Sequence, residues 1–206
     1  MLMSPAVAPS SAGHRLPSAE MTVGPFFPPR YSDAGANDLT QVEGRPARGE
    51  PIEIEGRVVQ VDGVPMNNLV LEIWQADAQG IYAHPADPRH READPGFFGW
   101  GRAATDADGC YRFRTIRPGA SIELDGTRRA PHVNVIVLFS GIMRQLQTVI
   151  WLPETVDEGD PVYRAVPAHR RSGVVATAIS PGRYRFDIRL RGEGETPFFA
   201  PDGEPA

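Results

Sequence analysis

Glycine and proline punctuate this chain, and the runs between them are short. Ile52–Val61 alternates apolar and polar residues and meets Asp62-Gly63, a turn pair. Leu69–Ala76 is a second apolar, β-branched run. Gly101–Thr105 and Cys110–Ile116 flank the turn Asp106-Ala107-Asp108-Gly109, and Pro118-Gly119 ends that pair. Arg128–Phe139 follows, closed by Ser140-Gly141, and then Gln145–Leu152. Val174–Ile179 and Tyr184–Leu190 enclose Pro181-Gly182 as a last hairpin. Residues 83–101 form a long loop, and residues 154–164 form a loop or a short helix. With 21 glycines and 21 prolines in 206 residues, long amphipathic helices have no room. Strands at this spacing predict an all-β fold, a β-sandwich with long loops.

The first residues are of a different kind. Residues 1–20 are rich in Ala, Ser and Pro and are expected to be a disordered tail. Residues 21–50 form an extended N-terminal arm and linker, residues 51–200 the sandwich, and residues 201–206 a second tail. Within the arm, Thr22-Val23-Gly24-Pro25-Phe26-Phe27-Pro28-Pro29 excludes a regular helix or a central strand, yet its phenylalanines favour burial. Two readings are open: an arm pinned to a surface by two aromatics, or a backbone arm that lines a pocket. No basic segment followed by an apolar run opens the chain, and no apolar run approaches membrane-span length. A soluble, cytoplasmic protein is the expectation, and the single Cys110, unable to form an internal disulfide, fits a reducing compartment. A net charge of -5, with arginine as the only strong base, argues against nucleic-acid binding.

The candidate chemistry lies at His132 and Asn134. Side chains two apart on a strand share a face, so the two point the same way. With histidine at 134 this would be a His-x-His chelate. Asn134 leaves half of one, because a neutral amide is a weak ligand for a hard cation. His132 sits on a strongly apolar strand, where a buried, hydrogen-bonded structural histidine competes with a ligand role. His14, His84, His90 and His169 lie in tail, loop or charged segments and are expected at the surface. Tyr82, closing a turn, would suit a ferric ion as phenolate or simply pack with its hydroxyl in water. Cys110 belongs to a hairpin strand. The chain contains no phosphate loop, Cys-x-x-Cys, His-Glu-x-x-His or Gly-x-Ser-x-Gly.

Taken in order, several segments resemble the intradiol ring-cleavage dioxygenases, most closely the alpha-type chains of protocatechuate-cleaving members. They are Thr22–Phe27, Glu72-Ile73-Trp74-Gln75-Ala76-Asp77 with Gly80 and Tyr82, and Phe98-Gly99-Trp100-Gly101-Arg102 with Thr105-Asp106. Gly109, Tyr111, Thr115-Ile116, Pro118-Gly119 and Ala130-Pro131-His132-Val133-Asn134 follow. Tyr184–Arg189 and Gly192–Phe199 complete the set, the last being typical of alpha chains.

The resemblance implies a sandwich of intradiol dioxygenase type and a non-haem ferric iron held by two tyrosines and two histidines. Tyr82 matches the first tyrosine and His132 the first histidine. Ser121 falls where the second tyrosine belongs and Asn134 where the second histidine belongs. The ligand set is therefore degenerate, and the iron is expected in a partner beta subunit. There the implied role of this chain is to complete the pocket for protocatechuate and O2 through Thr22, Gly24 and Pro25. Arg144 need not replace an arginine that some relatives carry at the position of Ser140. Higher alpha–beta oligomers are implied. Two competing readings are a self-sufficient metalloenzyme using Tyr82, His132 and a further ligand such as His84, and a non-enzymatic binding sandwich.

Overall fold

Ile52, Ile54 and Val58 turn inward from one strand while Glu53, Glu55 and Arg57 turn outward, so the alternation in the sequence becomes the two faces of a sheet. The computed structural model describes residues 35–139 and 145–199. The two tails, the Thr22–Phe27 arm, Ser140-Gly141 and Arg144 lie outside the described residues.

In chain order the strands are β1 (Gln41–Val42), β2 (Arg45–Pro46), β3 (Pro51–Val59), β4 (Leu69–Trp74), β5 (Trp100–Ala104), β6 (Cys110–Ile116) and β7 (Ser121–Ile122). They continue as β8 (Arg128–Arg129), β9 (His132–Phe139), β10 (Leu146–Trp151), β11 (Thr177–Ser180), β12 (Arg183–Arg185) and β13 (Ile188–Arg189). Among the described residues one α-helical turn, α1, spans Pro161–Ala165. One sheet has the order β10-β9-β4-β5 and is antiparallel throughout. The other is built on β3, with β6 antiparallel on one side and β12 then β13 parallel on the other; β11 extends it beyond β12. The inner faces meet in one apolar core that includes Ile54, Phe113, Leu71, Val135 and Ile150. This is the expected sandwich.

Three segments differ from the strand pattern read from the sequence. Arg128-Arg129 does not continue into β9 but pairs with Ser121-Ile122, and β9 begins at His132 after Pro131, which has no N–H to give a ladder. Val174 is not in a strand: residues 168–174 form a 3-10 turn, and Val174 is buried with Trp151 and Tyr163 in a second, smaller cluster. Tyr184–Leu190 splits in two. At the break, the Tyr111 hydroxyl donates to the Phe186 carbonyl at 2.5 Å, and the Asp187 carboxylate accepts from the Arg57 N–H at 2.9 Å. Gly56 permits this approach, since a Cβ there would stand 1.9 Å from the Phe186 oxygen.

The second cluster covers the outer face of β10 at Trp151. Trp151 and Val149 face it from β10, and Tyr163, Val166 and Val174 close over them. Asp160 starts α1 by accepting from the Val162 and Tyr163 N–H groups, with Pro161 at the first helical position.

The loop after β4 is fixed by Asp77. Its buried carboxylate accepts from the N–H groups of Gln79 and Ile81 at 2.9 Å each and of Asp94 at 3.0 Å. Asp77→Ala leaves three backbone donors without that acceptor and is expected to cost about 3 kcal/mol. A urea melt of the variant beside the parent measures it.

Candidate functional site

The four positions singled out by sequence come together. His132 and Asn134 project from the outer face of β9, while Val133 and Val135 between and beyond them enter the core. Across the ladder His132 pairs with Trp151, and Asn134 lies between Trp74 and Val149. The Tyr82 hydroxyl reaches the His132 Nε2 at 3.4 Å. Asn134 Nδ2 donates to the Trp74 carbonyl at 3.1 Å, and the side chains of Asn134 and Ser121 lie near the Tyr82 hydroxyl, with no hydrogen bond from Ser121 Oγ.

Two glycines bring Ser121 to Tyr82. Gly80 has φ +76, and a Cβ there would lie 1.8 Å from the Ala120 carbonyl oxygen. Gly119 faces it, donating its N–H to the Asp77 carbonyl at 2.8 Å, and its own Cβ would lie 2.5 Å from the Gly80 nitrogen. Only glycine lets the two backbones approach so closely. The contact sets the segment leading into β7 against the Tyr82 loop.

Behind His132 stands a buried ion pair. Arg129 Nε donates to Asp160 Oδ2 at 2.9 Å, and Arg129 Nη1 lies 3.4 Å from Glu123. Asp160 also accepts from the Ala130 N–H at 2.8 Å, which holds the residues just before His132. His132 Nδ1 lies 2.7 Å from the Ala130 carbonyl. A carbonyl only accepts, so Nδ1 carries the proton, and in the neutral ring Nε2 presents its lone pair. Burial, reinforced by the Arg129 charge, lowers the His132 pKa to about 4. Burial, with the Glu123 carboxylate adding to it, raises that of Tyr82, and Asn134 and Ser121 oppose the rise. Both side chains are therefore neutral at pH 7. Ser121 Oγ and Arg129 Nη2 are buried without a hydrogen-bond partner.

Tyr82, His132 and Asn134 floor a cleft of about 460 Å³, which Trp74, His84, Leu124, Val149 and Phe199 also line; Ser121 is not part of its lining. A larger groove of about 600 Å³ lies elsewhere, around Arg57, Arg112 and Arg185, and contains none of the four positions. His84 and His169 are exposed as expected; His90, also expected at the surface, is half-buried against the Asp87 carbonyl, and Cys110 is exposed on β6. Sequence reasoning missed Arg129, Asp160 and Glu123. Only Asp160-Pro161 carried a signal, as a helix start; its link to Arg129 spans 31 residues and is made by folding.

The comparisons place this architecture. The Dioxygenase_C family profile, described as dioxygenase, matches residues 22–192. The chain is 36% identical over 192 residues to the protocatechuate 3,4-dioxygenase alpha chain of Burkholderia cepacia, covering 86% of this chain and 94% of that one. It is 34% identical over 173 residues to the beta chain from the same organism, covering 78% and 74%. An intradiol ring-cleavage dioxygenase from Tetranychus urticae shares the fold, with a TM-score of 0.57 at 18% identity over 82% of this chain and 92% of that one. The chain belongs to the intradiol ring-cleavage dioxygenase family.

That family uses non-haem ferric iron. The side chains gathered here do not fit such an ion. Ferric iron is hard and is best held by anionic oxygen with imidazole. This site offers one phenol with a raised pKa, one imidazole, a neutral hydroxyl and a neutral amide. Among the described residues, no group of three or more His, Cys, Asp or Glu could hold a metal ion. No helix among them is long and apolar enough to cross a membrane.

The buried, neutral His132 carries a pH signature. Its folded pKa, about 4, lies below the ordinary value of 6.5, so the unfolded chain binds the proton first. Stability is full above about pH 6.5 and falls by about 3 kcal/mol as the pH drops to 4. His132→Gln removes that slope. Urea melts at several pH values between 7 and 4.5 should show a flatter profile for the variant than for the parent.

Proposed function

We propose that this chain is the iron-free, alpha-type subunit of a protocatechuate 3,4-dioxygenase. The holoenzyme would open protocatechuate between its two hydroxylated carbons and place both atoms of O2 in 3-carboxy-cis,cis-muconate. Ferric iron and turnover belong to a beta-type partner, and this chain completes the partner's pocket. The reading is supported by Ser121 and Asn134, which the resemblance sets at the second tyrosine and the second histidine and which lie beside Tyr82 and His132. The extent of the match to an alpha chain supports it. So do Phe98, Trp74 and Trp100, large aromatics left exposed on and beside β4 and β5, as a surface awaiting a partner would be.

Iron content tests the ligand assignment. The parent chain, purified without a partner, is expected to hold no stoichiometric iron. Ser121→Tyr combined with Asn134→His restores two phenols and two imidazoles, and should gain ferric iron with a visible tyrosinate absorption band. Stoichiometric iron in the parent, with that band, would refute the assignment.

The arm has its own test. Thr22, Gly24 and Pro25 are assigned to the partner's pocket, where a Gly-Pro backbone can approach substrate without an intruding side chain. Gly24→Val in the assembled enzyme is expected to lower kcat/KM by about 100-fold, the scale of a 1 Å displacement. Iron per protomer and oligomer size should stay at parental values. Failed assembly would mean that Gly24 only shapes the arm, and parental kinetics that the arm does not touch substrate.

A further inference from the structure

Six arginines point outward from β3, β6, β12 and β13, and four of them meet carboxylates. Arg183 reaches Glu53 at 3.1 Å and Glu55 at 2.7 Å, and Arg112 lies 3.7 Å from each of the same two. Arg114 pairs with Asp38 at 2.7 Å and Arg185 with Asp187 at 2.9 Å. Arg57 and Arg189 differ: among the described residues neither guanidinium meets a carboxylate. Both are half-buried and held in place. Arg57 Nε donates to the Asp108 carbonyl at 2.6 Å, which fixes its fork and leaves both Nη groups to a ligand. Arg189 is set by the loop after β13, where its N–H donates to Thr196 Oγ1 at 3.0 Å and the Thr196 N–H donates back to its carbonyl. Gly194, at φ +70, lets that loop lie along the arginine; a Cβ there would stand 3.7 Å from Nε. A guanidinium drawn partly out of water without a counter-charge is unfavourable, and an anion between the two would relieve it.

There is room for one. Arg57, Arg185 and Arg189 line a furrow of about 400 Å³ in which Asp187 is the one carboxylate. Asp187 is engaged, accepting from the Arg57 N–H at 2.9 Å and from Arg185 Nε. Three guanidinia against one carboxylate leave a surplus of positive charge, in a chain whose net charge is -5. Asp62 and Glu193, beside Gly63 and Gly194 in the chain, do not line the furrow. The 600 Å³ groove shares Arg57 and Arg185 and continues it toward Arg112. Arg189 registers with Val59, two residues past Arg57 on the neighbouring strand. The two arginines therefore stand one strand spacing, about 4.8 Å, across and about 6.6 Å along. A molecule with two anionic groups can span that interval, whereas one with a single group engages one fork.

We propose that this furrow binds a small polyanion, a molecule with two or more carboxylate or phosphate groups. One group takes the fork of Arg57 and another that of Arg189, since arginine pairs bidentately with either kind. Arg185, paired with Asp187, flanks the ligand. No bond is made or broken. The furrow shares no residue with the Tyr82 cleft and lies on the outer face of the other sheet.

The test is isothermal titration calorimetry on the full-length protein assembled with its partner, at constant ionic strength. The probes are tricarballylate, which carries three carboxylates, and fructose 1,6-bisphosphate. Binding of at least one is expected, and the tighter of the two shows whether carboxylate or phosphate is the natural group. Arg57→Gln and Arg189→Gln should each weaken that binding about ten-fold, the scale of a charge-assisted hydrogen bond. Arg114→Gln removes an equal charge from the same face outside the furrow and should leave it unchanged. Because all three substitutions are in this chain, anion sites on the partner do not move with them. Thermal melts confirm that the variants fold, and either furrow variant suffices if the other fails. The proposal is overturned by any of four results. They are no binding of either probe, binding unaltered by both furrow variants, equal loss in all three variants, or acetate and inorganic phosphate binding as tightly as the probes.

Discussion

Asp160 holds the candidate site together. One buried carboxylate accepts from Arg129 Nε, from the Ala130 N–H and from the first N–H groups of α1. It thereby ties three things at one point: the β7–β8 pair that carries Ser121, the entry to β9 that carries His132, and the helical turn over the second apolar cluster. A carboxylate so buried is stable only while its partners are in place, because an unpaired buried charge is costly. The geometry around His132 thus rests on a charge pair formed from distant parts of the chain. Asp77 does the same for the facing loop, where it orders the backbone around Tyr82 with neutral donors.

The result is a cluster of uncharged side chains. Tyr82, Ser121, His132 and Asn134 converge, yet none is anionic at pH 7. An iron centre draws its stability from anionic donors; a set of neutral ones pairs internally instead. The Tyr82 hydroxyl and the His132 Nε2 face each other at 3.4 Å. Such a set suits a hard cation poorly.

Much of this was legible in the residues. Alternation in Ile52–Val58 and in Val133–Val137 gave strands and their inward faces, because a period of two leaves no other assignment for a one-sided core. The shared face of His132 and Asn134 followed from the same period. Strand ends were less legible. Arg128-Arg129 has strand-like neighbours but pairs elsewhere, and Val174 gives up the ladder to fill the second cluster. Both outcomes were decided by contacts across the fold, which local pattern does not contain.

Residue identity by itself therefore determined the β-sandwich class and the half-chelate on β9, since both depend only on which side chains stand at which spacing. Tertiary structure alone decided that Tyr82 meets His132, that Gly80 and Gly119 press Ser121 toward them, and that Arg129 and Asp160 stand behind. Those pairings join residues from 31 to 50 positions apart. No local propensity encodes such distances; they are set by which surfaces of the two sheets and their loops can be buried together.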